Sequence, residues 1–322
     1  MTRDSVTYSF LTFGTDDLER SLRLWRDLLG LESVPAFFTP RCLEALWGLP
    51  AGTLQRAALL QTPGAQAGRL LLLEVGPGAA SVRAQADTRD LCPKNLDVNV
   101  VDLPARFEAL RSAGFPARSE PVSYRIADVE VREVQFPLRE GVNLVLAELL
   151  GEPLLTTKAG FGGITSTVTT VADLAREGAF FERLGFTRVE RHRLSGVEIE
   201  TMIDLPRGGE LTLDLFGEPA HRFGRAELVS YGRHHGKNLY GRAALPALGL
   251  LRGAIGVADL DDCVARCRAV GDPVGPERKL AGIRGCSVRS PAGWWIDILE
   301  QPADGDHYDP AGHRVPPEDG SI

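Results

Sequence analysis

Groups able to act as nucleophiles or metal ligands are sparse in this chain of 322 residues, and their spacing limits its chemistry. The six histidines are His192, His221, His234, His235, His307 and His313. There is no HExxH, no GxSxG and no Walker sequence, so zincin, serine-hydrolase and P-loop chemistry have no motif here. His192 lies in the strand-like run TRVERHRL, facing either an interior or solvent, and His221 follows in GEPAHRFGR. His234 and His235 fall in YGRHHGKNLYGR, a Gly-rich, basic and aromatic segment. With Tyr231, Arg233, Lys237 and Tyr240 they suit a lid over an anionic or aromatic ligand; a solvated connector is the plainer reading. His307 and His313 belong to the polar Pro/Gly tail GDHYDPAGHRVPPEDGSI, for which partial disorder is expected. The five cysteines are odd in number and form no CxxC; Cys263 and Cys267, four apart, read as a buried thiol pair. Such usage points to a reducing, cytoplasmic setting. In PAGWWID, Trp294 and Trp295 point to opposite strand faces, so one can stack on a ring while the other packs in a core.

The elements that must position these groups are written four times. Asp-Leu recurs at Asp17, Asp102, Asp173 and Asp259, and a Gly follows at Gly30, Gly114, Gly185 and Gly271, at intervals of 13, 12, 12 and 12 residues. The runs before each Asp (YSFLTFGT, LDVNVV, TSTVTTVA and GAIGVA) have strand composition. Between Asp and Gly, apolar residues recur at three and four, as on a one-sided helix. Asp stands where an N-cap belongs and Gly where a helix stops in a left-handed conformation. About three antiparallel strands follow each copy; in the third they read TRVERHRL, GVEIETMIDL and ELTLDLF. Copies one and three are 156 apart and copies two and four 157, so the chain reads as a two-module unit written twice, linked near GEPLLTTKAGFGG. The expected domains are 1–150 and 159–302, with a tail at 303–322.

A net charge of −7 and a pI of about 5.5 argue against nucleic-acid and anionic-membrane partners. No apolar run approaches a membrane span, and the N-terminus MTRDSVTYSF has no secretory h-region. A small-molecule partner, and a monomer or homodimer, are the expectation.

The run DDLERSLRLWRDLLGLE resembles the opening of a vicinal oxygen chelate module (glyoxalase, bleomycin-resistance protein, extradiol dioxygenase), and SPAGWWIDILE resembles its closing strand. The resemblance spans about Val6 to Gln301. It implies an α+β fold of four βαβββ modules forming two tandem domains, each sheet curled into an open cup. It also implies a divalent metal in the cup, held by His on a module's first strand and Glu on its last. Carried onto this sequence, the His position falls on Phe10, Asn95, Ser166 and Arg252, none of them His. The last-strand acid falls on Glu74, Asp214 and Asp297, with Val145 or Glu148 in the second module.

The family's metal set is thus only partly present. Arg cannot ligate a metal, but its guanidinium can bind two carboxylates. The expected catalytic group is Arg252 between Asp214 and Asp297 in a metal-free cup of the second domain, the alternative being that these residues only hold the sheet together. Ser166, His192, Trp295, Tyr231, His234 and His235 are the expected substrate-binding residues. No cofactor is predicted; a divalent metal is possible, with His192, His221, Asp214 and Asp297 as its fallback ligands. Three functions follow: a lyase, isomerase or cyclase on a small organic substrate, aromatic ones included; a metal-dependent glyoxalase or extradiol-type dioxygenase with a displaced ligand set; and a drug- or natural-product-binding resistance protein without catalysis. The first is ranked ahead, on the polar groups at the cup positions of the second half.

Overall fold

The computed structural model describes residues 6–35, 39–65, 67–152, 154–219, 221–280 and 282–300, with the backbone of 307–308 and 314–315. Module 1 comprises β1 (Tyr8–Thr15), α1 (Leu18–Leu22, continued by a π-helical stretch Arg23–Leu28), β2 (Glu32–Val34), α2 (Pro40–Trp47), β3 (Ala57–Gln61) and β4 (Arg69–Glu74). Module 2 is β5 (Pro93–Val100), α3 (Leu103–Ser112), β6 (Val122–Ile126), β7 (Val129–Pro137) and β8 (Asn143–Leu149). Module 3 is β9 (Phe161–Thr170), α4 (Leu174–Leu184), β10 (Thr187–Ser195), α5 (Val197–Ile203), β11 (Glu210–Gly217) and β12 (Arg225–Ser230). Module 4 is β13 (Gly249–Val257), α6 (Leu260–Arg268), β14 (Arg278–Leu280), β15 (Ile283–Arg289) and β16 (Trp295–Glu300).

The four junctions form as their residues dictate. Asp17, Asp102, Asp173 and Asp259 each accept the backbone N–H three residues on, satisfying a helix-end donor. Gly30, Gly114, Gly185 and Gly271 all take positive φ, which only glycine adopts freely. Three modules add a second cap. The Glu ending the last strand turns back onto its own module's helix start: Glu74 accepts from Leu18 N, Glu148 from Asp102 N and Glu300 from Leu260 N.

Hydrogen bonding groups the modules otherwise than chain order does. One eight-stranded sheet runs β14-β15-β16-β13-β1-β4-β3-β2, joining module 4 to module 1 through the antiparallel β1–β13 pair. The other runs β10-β11-β12-β9-β5-β8-β7-β6, joining module 3 to module 2 through β5–β9. Each cup is therefore built across the division at residues 150–159. We call them the terminal cup (modules 1 and 4) and the central cup (modules 2 and 3). Helices α1, α3, α4 and α6 send Leu18, Phe107, Phe181 and Cys263 into one core shared with the sheet faces away from the cups.

Two helices were not expected. GVEIETMIDL does not form a strand: Val197–Ile203 is α5, with Ile199, Met202 and Ile203 buried at helical spacing. In consequence ELTLDLF is the third strand of its module, and RAELVS, as β12, is the last. In module 1, α2 takes the corresponding place. Gly162 and Gly163 lie within β9, at a register shift against β5 where the strand carries an extra residue. Of the tail, β17 (His307–Tyr308) pairs with β18 (Arg314–Val315), and the rest, with His313, lies outside the described residues. Among the described residues no helix is long and apolar enough to cross a membrane.

Candidate functional site

Strand register fixes which residues occupy the four equivalent cup positions. Phe10 pairs with Arg69, Asn95 with Asn143, Ser166 with Arg225 and Arg252 with Trp295, so the four first-strand positions are structurally equivalent. Two residues further along each last strand lie Leu71, Val145, Glu227 and Asp297. The last-strand acid of module 3 is therefore Glu227 and not Asp214. Glu74 and Glu148 are helix caps three residues beyond this position, which Leu71 and Val145 occupy.

The terminal cup is filled. Helix α2 inserts Leu43, Leu46 and Trp47 against Phe10, Leu71 and Leu73. Arg252 lies there with Asp297, its Nη2 donating to Asp297 Oδ1 at 2.6 Å and to Ser287 Oγ at 2.6 Å. Trp47 Nε1 donates to Asp297 Oδ2 at 2.9 Å. The guanidinium is sandwiched by indoles, its carbon 5.1 Å from the Trp47 ring centre and 5.5 Å from that of Trp295. Asp297, fully buried, has its acceptors taken by Arg252, Ser287 and Trp47. Asp214 is not part of this group. It sits on the other sheet, between the cup-facing Leu213 and Leu215, and is bound by Arg191, whose Nη2 donates to Oδ2 at 2.6 Å. Arg252, Asp214 and Asp297 thus do not converge. Strand alternation puts Asp214 on the helix-side face, and Trp295 stacks on Arg252 rather than lining an open site.

The central cup holds a cavity of about 630 Å³. Leu194, Ile199, Met202, Leu211, Leu213 and Val131 make an apolar wall. Opposed to it is a polar strip: alternation along β5 directs Asn95, Asp97 and Asn99 inward, β7 contributes Glu133 and Gln135, and β9 and β12 contribute Ser166 and Glu227. Ser166 lies across the β5–β9 seam from Asp97, and its Oγ donates to Asp97 Oδ2 at 2.5 Å. The same Oγ lies 3.5 Å from Glu227 Oε2, a long contact in which Ser166 is again the donor. Asp97 Oδ1 is buried without a partner. Tyr124 donates its hydroxyl to Glu133 Oε2.

Five carboxyls line this cavity: Glu152 is paired with Arg222 and Glu190 with His192, while Asp97, Glu133 and Glu227 form no ion pair with Lys or Arg among the described residues. Burial, and then the charge of Glu227, raises Asp97 well above the usual carboxylate range. Burial, and then the charge of Glu133, raises Glu227 to about 7. Glu133 is raised to about 7 by burial, against the opposing hydrogen bond from Tyr124. At the deep end, burial and the charge of Arg83 lower Lys94 to about 7.

Of the expected binding residues, Ser166, His192 and Tyr231 line this cavity. His192 Nε2 lies 2.8 Å from Glu190 Oε2, and the Tyr231 hydroxyl receives the Lys94 amine. His221 is exposed outside the lining, and His234 and His235 lie on an exposed turn. The segment around them is no lid. Lys237 and Leu239 exchange backbone bonds with Leu91, Lys237 N donates to Asp90 Oδ1 at 2.6 Å, and Tyr240 is buried with its hydroxyl on Thr170 O. This clasps the two inter-module linkers together. Asp97, Glu133, Glu227, Lys94 and Tyr124 escaped the sequence reading. Their signal was polar side chains at alternate positions of otherwise apolar strands, as in NLDVNV.

The donors do not fit the metal set that the fold implies. In the central cup the four equivalent positions are Asn95, whose amide oxygen already accepts from Asn143, Val145, which has no donor atom, Ser166, a neutral hydroxyl, and Glu227, the one carboxyl among them. In the terminal cup Phe10 and Leu71 are apolar and Arg252 is a cation. Among the described residues no three His, Cys, Asp or Glu side chains converge on a metal position. The fallback ligands His192, His221, Asp214 and Asp297 are dispersed.

No protein-family model matches the sequence, and no curated protein sequence matches it. Solved structures do. Glyoxalase I from Zea mays superimposes with a TM-score of 0.65 over 92% of both chains at 14% identity. A putative dioxygenase from Bacillus subtilis superimposes with a TM-score of 0.60 over 95% of this chain and 89% of its own at 12% identity. At such identities the likeness is one of fold. With its four βαβββ modules and two curled eight-stranded sheets, the chain has the tandem vicinal oxygen chelate fold.

Proposed function

We propose that the central cup is the active site of a small-molecule enzyme of lyase or isomerase type, working by general acid–base catalysis through Asp97, Glu133 and Glu227. The observation that carries this is the Asp97–Ser166–Glu227 chain at the floor of a 630 Å³ cavity, with Glu133 alongside. Groups that titrate near the working pH transfer protons best, because both forms are present. Glu133 and Glu227, each near 7, supply a carboxylate and a carboxylic acid in one site. The carboxylate removes a proton from carbon next to a carbonyl. The acid returns one to a neighbouring carbon, or to a leaving oxygen. Ser166 and Tyr124 hold the carboxyls in place, and the apolar wall receives the body of the substrate and excludes water.

Exchange of carbon-bound hydrogen in D₂O tests this without knowledge of the natural substrate. A panel of ketones, aldehydes and 2-oxo acids is incubated with the protein and followed by proton NMR. The expected result is exchange of at least one member, lowered about 10²–10⁴-fold in E227Q or E133Q and unchanged by EDTA. Binding without exchange would replace catalysis by sequestration, and exchange requiring an added divalent cation would replace the acid–base reading by a metal-dependent one.

A further inference from the structure

The deep end of the central cup holds a group that proton transfer does not use. Lys94 is the only lysine among the cavity's lining residues, and the residue is 3% exposed. A register shift between Pro93 and Asn95 breaks the strand alternation here, so Lys94 joins Asn95 at the cavity wall. Its Nζ contacts Thr88 Oγ1 at 2.7 Å, Thr88 O at 3.2 Å and the Tyr231 hydroxyl at 3.1 Å. None of these partners is a carboxylate. Arg83 and Arg118 lie near enough to oppose a positive charge on the amine, and burial opposes it further. An amine so placed is uncharged in a large share of the molecules at neutral pH, and that form has a lone pair to offer.

We propose that Lys94 makes the central cup a covalent site for aldehydes and small ketones, its amine condensing with the ligand's carbonyl carbon to an imine. The Nζ lone pair attacks the carbonyl carbon as the Tyr231 hydroxyl turns from nitrogen to the carbonyl oxygen. The C=O π pair moves to oxygen, the Tyr231 hydroxyl gives that oxygen its proton and regains the one that nitrogen gives up, and a carbinolamine forms. The Glu133 carboxylic acid, close enough for the Lys94 charge to act on it, protonates the departing hydroxyl. Water leaves, the nitrogen lone pair forms the C=N bond, and the remaining N–H proton returns to the Glu133 carboxylate, so that one amine and one carbonyl become one imine and one water. The inference names the substrate class for the acid–base site, and rests on that reading only for the dehydrating proton. An imine makes the adjacent C–H bond more acidic, which is the bond that the carboxyls are placed to break.

The test is reductive trapping on the full-length protein. Formaldehyde, propanal and benzaldehyde are each added at pH 7.5 with cyanoborohydride, and alkylation of each lysine is timed by peptide mass spectrometry. Lys158, Lys237 and Lys279 serve as internal controls. An ordinary lysine is about 0.1% uncharged at this pH. Lys94 is therefore expected to be alkylated at least about tenfold faster than the controls by one or more of the three, and saturably. K94R is expected to keep its fold and lose the fast site. Labelling of Lys94 by formaldehyde no faster than that of the controls overturns the proposal and leaves Lys94 as a pin between Thr88 and Tyr231. Trapping needs no turnover. Hydrogen exchange that persists in K94R without trapping in wild type would sink the imine and spare the acid–base reading; trapping without exchange would do the reverse.

Discussion

Single residues carry the charge balance of the central cup, and pH exposes it. A carboxyl whose folded pKa is raised binds protons more tightly folded than unfolded. Its penalty is absent below the unfolded value, grows as pH rises toward the folded value, and is complete above it. Glu133, Glu227 and the core residue Glu177, all raised to about 7, act in the same direction. The protein is expected to melt at a higher temperature near pH 5 than at pH 7.5, with the slope reduced in E133Q and E227Q. Lys94 acts oppositely and at higher pH: its folded value lies below its unfolded one, so its penalty fades as pH rises from about 7 toward the ordinary lysine range. A melting temperature indifferent to pH between 5 and 7.5 would count against the protonated cluster. At Arg252 the expectation is different in kind. R252M strands the buried Asp297 and costs about 3–5 kcal/mol, whereas R252M/D297L recovers most of that. Neither change is expected to alter exchange in the central cup in protein that folds. Denaturant titration and the NMR assay together decide whether the pair is structural.

At the scale of elements, the two cups differ by what their inserted helix does. In the terminal cup α2 delivers Leu43, Leu46 and Trp47 as filling; in the central cup α5 delivers Ile199, Met202 and Ile203 as one wall and leaves the floor open. W47A is expected to cost about 3–5 kcal/mol, from a lost large side chain and a lost Asp297 partner. Its measurable signature is a lower denaturation midpoint with an unchanged slope. These helices also mark where the sequence stopped being legible. The four Asp caps and four Gly stops could be read because each is a local requirement satisfied within a dozen residues. The run GVEIETMIDL could not. In seven residues a helical and an alternating pattern overlap, and the choice depends on Ile199 and Met202 finding a cup to cover. That one misplaced element moved the last strand of module 3, and so hid Glu227 behind Asp214.

Across the whole molecule, the modules were countable in the sequence, but their partners were not. Spacing repeats at 156 and 157 residues, yet the strands that meet are β1 with β13 and β5 with β9. Which edges meet depends on long-range burial, on which intervals along the chain are silent. Each half, cut at residue 150, carries four strands of each sheet. Either half expressed alone is expected to lack a cooperative unfolding transition, while the two together regain one. Circular dichroism melts of the separate and mixed halves check this, and independent cooperative melting of each half would restore the domains expected from chain order.

The β1–β13 pair also has a consequence for the order of assembly on the ribosome. The central sheet is complete once Ser230 has emerged, because its eight strands are contiguous in the chain. The first four strands made, β1 to β4, must wait with β1's outer edge unpaired until the last module arrives. The cup with the open cavity is thus complete before the last module is made. The cup that is filled closes last, when β13 reaches β1 across a finished centre.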